Sequence, residues 1–133
     1  MILFINGSPN KDGNTARLAR ELIGDRPYEQ LNLAEHKVYG YGQSYGDDDF
    51  EDVLARIEAA DTLVVGSPVY WHSLSGMLRN LLDRFYGPVR EGSMSGKTLY
   101  FVFQGGAPTR EMLDWGEYTM KRFAALYGMT YGG

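Results

Sequence analysis

The chain contains no cysteine. That absence excludes disulfides, thiolate nucleophiles, cysteine-ligated zinc and cysteine-ligated iron–sulfur clusters, and a reducing cytoplasm is the expected setting. Histidine is nearly as scarce. His36 and His72 are the two in the chain, far apart in sequence, and make a poor metal site. No run approaches the roughly 20 consecutive apolar residues that cross a bilayer, so no membrane partner is expected. Basic residues number 13 against 17 acidic ones and are scattered, not striped, which leaves no nucleic-acid footprint. Met1 runs straight into Ile-Leu-Phe-Ile, with no basic segment and no small-residue cleavage site. The opening stretch therefore reads as a buried strand and not as a signal peptide.

What is present suits a packed core. An apolar fraction of 44% over 133 residues predicts one domain, residues 1–133, and a chain of this size buries roughly two-thirds of its unfolded surface. Aromatic residues are plentiful, with ten tyrosines and two tryptophans. Most belong to a core or an interface, and the surplus is available to stack on a planar ligand.

Strand and helix patterns alternate along the chain. The apolar run Ile2–Ile5 predicts a strand buried on both faces. Ala16, Leu18, Ala19, Leu22 and Ile23 share one face of a helix over Thr15–Ile23, closed by Gly24. Tyr28–Leu33 is a weaker, edge-like strand. The segment HKVYGYGQSYGDDDF is a loop, and a helix follows over about Phe50–Ala60 with Asp48 and Glu51 at capping-box spacing. Thr62–Gly66 is the next buried strand. Leu74, Met77, Leu78, Leu81, Leu82 and Phe85 mark an amphipathic helix stopped by Gly87-Pro88. Thr98–Phe103 is a fourth strand, Glu111–Tyr127 a long helix ended by Gly128, and Met129–Tyr131 the start of a fifth strand.

Such alternation predicts an α/β three-layer sandwich around a parallel sheet, because parallel strands need right-handed helical crossovers. Five strands suit the flavodoxin-like order 2-1-3-4-5, in which ligands sit beyond the carboxyl ends at the switch point. Unusual residues should then follow strands one, three and four. They are Gly7–Thr15, Ser67–Trp71 and Gln104–Pro108.

The first of these loops can hold a phosphate on backbone N–H groups and a helix N-terminus, whose dipole favours an anion. Gly7 and Gly13 permit close backbone approach, and Ser8, Asn10, Asn14 and Thr15 add side-chain donors. A triphosphate loop carries a lysine and a hydroxyl after its second glycine. Here Asn14 and Thr15 follow Gly13, which favours one phosphate without a metal. In the second loop Pro68 stiffens the strand exit, and Val69, Tyr70 and Trp71 can flank a flat heterocycle. In the third, Gln104, Gly105 and Gly106 offer unhindered backbone donors. Taken singly, the three loops also read as a turn with a cap, as core aromatics, and as a plain strand-to-helix turn.

Together, INGSPNKDGNT, ADTLVVGSPVYW and LSGMLRNLLDRF resemble the NADPH-dependent FMN reductases, including the flavodoxin-like NAD(P)H:quinone and azo-reductases, over residues 2 to about 128. The segment DDDFEDVLARIEAAD is similar to the matching region of iron–sulfur flavoproteins. The resemblance implies FMN, with its phosphate on Ser8, Asn10, Asn14 and Thr15. Its ring would lie against Pro68, Val69, Tyr70 and Trp71, with Gln104, Gly105 and Gly106 along the other edge. NAD(P)H would be the co-substrate and a small molecule (flavin, quinone, nitro or azo compound, or metal ion) the electron acceptor. Two departures stand out. The loop where relatives carry cysteines reads Tyr-Gly-Tyr-Gly-Gln-Ser-Tyr here, so no cluster can form. Relatives also continue past the fifth strand into another helix, so a sheet face beside the first helix is expected to be open and closed by a homodimer.

Other candidates are weaker. His72 adjoins the aromatic pair, but a lone histidine before a helix is more often a cap or surface residue, despite its useful pKa. Asp47, Asp48 and Asp49 suit helix caps better than a metal. Asp83 and Arg84 could pair with each other at a subunit contact or be solvated. A flavodoxin-type electron carrier is the nearest rival reading, separated by NAD(P)H consumption. A phosphoacceptor receiver domain needs acidic residues where Asn6-Gly7 stands, and a low-molecular-weight phosphatase needs a cysteine.

Overall fold

In the computed structural model, which describes all 133 residues, the strands β1 (Ile2–Asn6), β2 (Tyr28–Asn32), β3 (Thr62–Pro68), β4 (Thr98–Gln104) and β5 (Thr130–Tyr131) form one sheet. Their order is β2-β1-β3-β4-β5 and every pairing is parallel. Four helices make the crossovers that parallel neighbours require: α1 (Asn14–Ile23), α2 (Phe50–Ala59), α3 (Gly76–Arg84) and α4 (Arg110–Leu126). The expected topology is the one observed.

Period-2 alternation sorts the strand residues onto two faces. Leu3, Ile5, Leu63, Val65 and Leu99 enter a core of 22 buried residues with α2, α3 and α4. Phe4 and Val64 point the other way and meet Ala16, Ala19 and Ile23 of α1 in a core of 5. The alanines let α1 lie close to the sheet, but one helix covers that face incompletely. Tyr100 and Val102 stay half-buried there, and Leu18 and Leu22 of α1 are exposed.

Boundaries differ from expectation in instructive places. β3 extends to Pro68 because β4 runs beside it to Gln104, pairing Ser67 with Phe103 and Pro68 with Gln104. A terminal proline costs little here, since Val69 N–H makes the next bond, to the Gln104 carbonyl at 2.7 Å. β2 ends at Asn32, and Leu33 opens a 3-10 turn to Glu35 that keeps its own side chain in the larger core. Leu74 is buried but precedes α3, because Ser75 caps the helix by accepting from Leu78 N–H. The expected capping box of Asp48 and Glu51 does not form. Asp49 is the N-cap of α2, while Asp48 accepts from Phe50 N–H and pairs with Arg84 at 2.6 Å. No helix is long and apolar enough to cross a membrane.

Candidate functional site at the carboxyl edge of the sheet

The carboxyl ends of β1, β3 and β4 lie side by side, which brings the three loops to one edge. Gly7 N–H donates to the Gly66 carbonyl at 2.8 Å, and a Cβ on Gly7 would stand 2.8 Å from that same oxygen. Backbone cannot yield to it, so glycine is required there. A Cβ on Gly66 would meet the Thr15 methyl at 2.7 Å, which fixes how closely α1 approaches β3.

The first loop is held from beneath. Asn6 is fully buried at the end of β1, and its Oδ1 accepts from Ser8 N–H. Its Nδ2 donates to the Asn10 carbonyl and to Asn32 Oδ1. Ser8 is buried and its Oγ accepts from Asn10 N–H. Above this, α1 begins at Gly13 without a side-chain cap and without an acidic residue in its first turn. The N–H groups of Asn14, Thr15 and Ala16 meet no acceptor, so the positive end of the helix dipole faces outward. Asn14 Oδ1 accepts from Arg17, a cation one turn along. That set of donors fits a single anion.

Thr15 is buried, and its hydroxyl accepts from Gln104 Nε2 at 3.1 Å. The first and third loops are thereby tied together.

The second loop is a tight two-residue turn. Tyr70 and Ser73 exchange both backbone bonds, at 3.0 and 3.1 Å, and the residues between them are Trp71 and His72. Both have positive φ, 48° and 64°. Turns of this kind favour Asn-Gly, so two bulky residues in this conformation are strained. The strain is not offset by burial, since Trp71 is 93% exposed. His72 Nδ1 lies 3.4 Å from Met112 Sδ at the start of α4. Across the gap, a Cβ on Gly105 would stand 3.0 Å from that of Val69, whereas Gly106 faces open space. Between the second and third loops lies a cavity of about 270 Å³ lined by Val69, Trp71, His72, Gly105, Gly106, Ala107, Pro108 and Met112.

The expected site residues thus fall into two adjoining places. Ser8, Asn10, Gly13, Asn14 and Thr15 lie together in the first loop and the uncapped first turn of α1, and Val69, Trp71, Gly105 and Gly106 line the cavity. Pro68 is buried behind the cavity, Tyr70 is half exposed beside it, and Gln104 joins the two. His72 is the single titratable side chain on the cavity wall, so the arrangement binds and orients; it offers no nucleophile. A larger hollow of about 540 Å³ at Met1, Ile2, Arg26, Pro27, Tyr28 and Glu29 opens at the opposite edge of the sheet, where the Met1 ammonium is paired with Asp61 and Arg26 donates to the Leu22 and Ile23 carbonyls.

The three aspartates diverge. Asp47 accepts from Lys37 and Tyr39, Asp48 binds Arg84, and Asp49 accepts from Lys37 N–H. Arg84 therefore pairs across to Asp48 and not with Asp83; it also donates to the Tyr39 carbonyl and stacks over Phe50. The sequence pattern does not show the amide chain under the first loop or the strain in the second. A polar Asn6 closing a continuous apolar strand was the available signal for the first.

An open parallel sheet of order β2-β1-β3-β4-β5, with free helix N–H groups and a cavity lined by Trp71 at its switch point, defines a protein of the flavodoxin-like class. The chain belongs to the NADPH-dependent FMN reductase family, whose sequence model matches residues 1–131. It is 32% identical over 96 residues to an iron–sulfur flavoprotein of Archaeoglobus fulgidus, covering 62% of this chain and 47% of that protein. It is also 32% identical over 85 residues to an NADPH azoreductase of Bacillus sp. (strain OY1-2), covering 62% of this chain and 48% of the relative. The chain spans about half the length of these two curated relatives. Among solved structures, the Trp repressor binding protein of Bacillus subtilis superposes with a TM-score of 0.81 at 24% identity, over 100% of this chain and 83% of that one.

Proposed function

We propose that this chain binds FMN and acts as an NAD(P)H-dependent oxidoreductase, passing electrons to a small acceptor such as a flavin, a quinone, or a nitro or azo compound. One observation carries the reading. An uncapped helix N-terminus and a cavity walled by Trp71 and a glycine pair meet at one sheet edge, joined by Thr15 and Gln104. The residues fit the cofactor: free N–H groups of α1 for one phosphomonoester, and Gly106 with open space above it for the ring.

When bound, FMN supplies the redox chemistry, taking hydride from a nicotinamide and releasing electrons to the acceptor. The protein's own residues position it. Ser8, Asn10, Gly13, Asn14 and Thr15 hold the phosphate. Pro68, Val69, Tyr70 and Trp71 bound one side of the ring, and the backbone of Gly105 and Gly106, beyond the last ladder residue Gln104, presents N–H dipoles to the other edge, where they favour negative charge. Trp71, held outward by its turn, is the surface on which a second flat molecule stacks. Trp71→Ala should lower turnover about tenfold and FMN affinity by a smaller factor, about threefold, because the indole is one of several contacts on that side of the ring. Equal losses in both would remove that role.

The proposal includes a cytoplasmic setting and a homodimer. The incompletely covered face beside α1, with Leu18, Leu22, Tyr100 and Val102, supports the second.

The deciding experiment is a visible spectrum of purified protein after loading with excess FMN and desalting, followed by anaerobic NAD(P)H. Retained flavin that bleaches on the addition supports the oxidoreductase. Retained flavin that stays coloured points to an electron carrier, and no retained flavin overturns the cofactor assignment.

A further inference from the structure

Phosphate-binding loops rely on backbone groups, so their affinity depends on how well the backbone is held before the ligand arrives. This loop is held by side chains from two strands. Asn6 and Asn32 are direct register partners on β1 and β2, both buried, and are joined by a bond of 3.0 Å. Asn32 Oδ1 also accepts from Gln30 Nε2 at 2.8 Å, and Asn32 Nδ2 donates to Glu35 Oε1 at 3.0 Å. At the loop end of the chain, Asn6 grips Ser8 N–H and the Asn10 carbonyl, while Gln30 grips the Lys11 carbonyl at 2.8 Å. Three consecutive carboxamides thus fix residues 8, 10 and 11, immediately before the free N–H groups of α1. No buried side-chain polar atom is left without a partner.

We infer that Asn6, Gln30 and Asn32 are positioning residues that hold the first loop in its anion-accepting shape, so that the edge strand β2 sets the preference for a phosphorylated flavin. None of the three faces the cavity where the ring would lie. Their effect should therefore reach the phosphate and not the ring. Donation by the buried Asn6 amide and the half-buried Gln30 amide also engages two loop carbonyls: the Asn10 and Lys11 oxygens are turned toward Asn6 and Gln30. This inference rests on the FMN reading above.

The test compares dissociation constants for FMN and riboflavin, measured by flavin fluorescence quenching in apoprotein. Gln30→Leu removes two bonds at the exposed side of the network, where folding is least at risk, and Asn32→Leu removes the three bonds of the buried central amide, to Asn6, Gln30 and Glu35. Each should weaken FMN about tenfold, the equivalent of one or two lost hydrogen bonds, and leave riboflavin within about twofold. The paired change Asn32→Asp with Glu35→Gln reverses the donor between positions 32 and 35 while keeping net charge and bond count. It should restore the FMN preference. Amide exchange in ligand-free protein supplies a second readout: residues 8–13 should exchange faster in Asn32→Leu, with α1 beyond its first turn unchanged. An intact FMN-to-riboflavin ratio in both single variants, or equal weakening of both flavins, overturns the inference alone. A wild-type protein without preference for FMN overturns the cofactor reading, and this inference with it.

Discussion

Trp71 and His72 occupy backbone conformations that L-residues avoid, at about 1–2 kcal/mol each, and they do so in a turn that asparagine and glycine would adopt freely. Trp71 gains almost nothing from packing in return. Strain kept at an exposed position marks a residue retained for what it presents. The double change Trp71→Asn with His72→Gly should therefore stabilise the ligand-free protein by about 1 kcal/mol, raising its melting temperature by roughly 4 °C. The same variant should turn over NAD(P)H more slowly once loaded with FMN. Thermal melts of the apoprotein beside steady-state rates check both halves. A variant no more stable than the parent would mean that the turn is relaxed by contacts other than those seen here.

At the scale of elements, the loop between β2 and α2 is anchored to α3 by one ion pair. Asp48 and Arg84 are 16% and 18% exposed, so the pair is neither a solvated surface contact nor fully buried. Burial pushes the Asp48 carboxyl up, but hydrogen bonds from Arg84 and from Phe50 N–H outweigh it and hold the group below its ordinary value of 3.8. A depressed carboxyl adds stability that is fully present above its unfolded pKa and is lost as pH falls through the lower native value. Removing the carboxylate with Asp48→Asn should cost about 2 kcal/mol near neutrality, between the values for exposed and buried pairs. It should also flatten the loss of stability between about pH 5 and about pH 2, read as urea midpoints. A pH profile parallel to that of the parent would show that Asp48 is not the titrating anchor.

This pair also shows where the sequence stops being readable. Continuous apolar runs make β1, β3 and β4 legible, and the spacing of Leu78, Leu81 and Leu82 makes α3 legible, because burial on two faces or one leaves a periodic trace. That the loops after β1, β3 and β4 share one edge follows from strand order alone. What escapes is pairing between distant polar residues. Arg84 has Asp83 as its chain neighbour but Asp48 as its partner, and nothing local signals the difference. Thr15 illustrates the same limit: it reads as a phosphate donor, and its hydroxyl also accepts from Gln104, 89 residues away.

At the scale of the whole molecule, the two sides of the sheet are unequal. One buries a core of 22 residues under three helices, and the other buries 5 under α1. Leu18 and Leu22 are 37% and 38% exposed beside half-buried Tyr100 and Val102. If this face pairs two copies, light scattering at micromolar concentration should give twice the chain mass. Leu18→Glu with Leu22→Glu should then return the mass to 15.0 kDa without loss of helix content. Monomeric parent protein would remove the homodimer from the proposal.

The outward-held Trp71 has an optical consequence. The protein has two tryptophans, and both are exposed: Trp71 at the cavity mouth and Trp115 on α4. Emission from the free protein should therefore be red-shifted, as from water-bathed indoles. A flavin entering the cavity would lie against Trp71 and drain its excited state most strongly, and Trp115, one turn along α4 from the cavity residue Met112, would be dimmed less directly. Occupancy could then be followed as a partial, saturable dimming of intrinsic fluorescence, with no label added and no turnover needed.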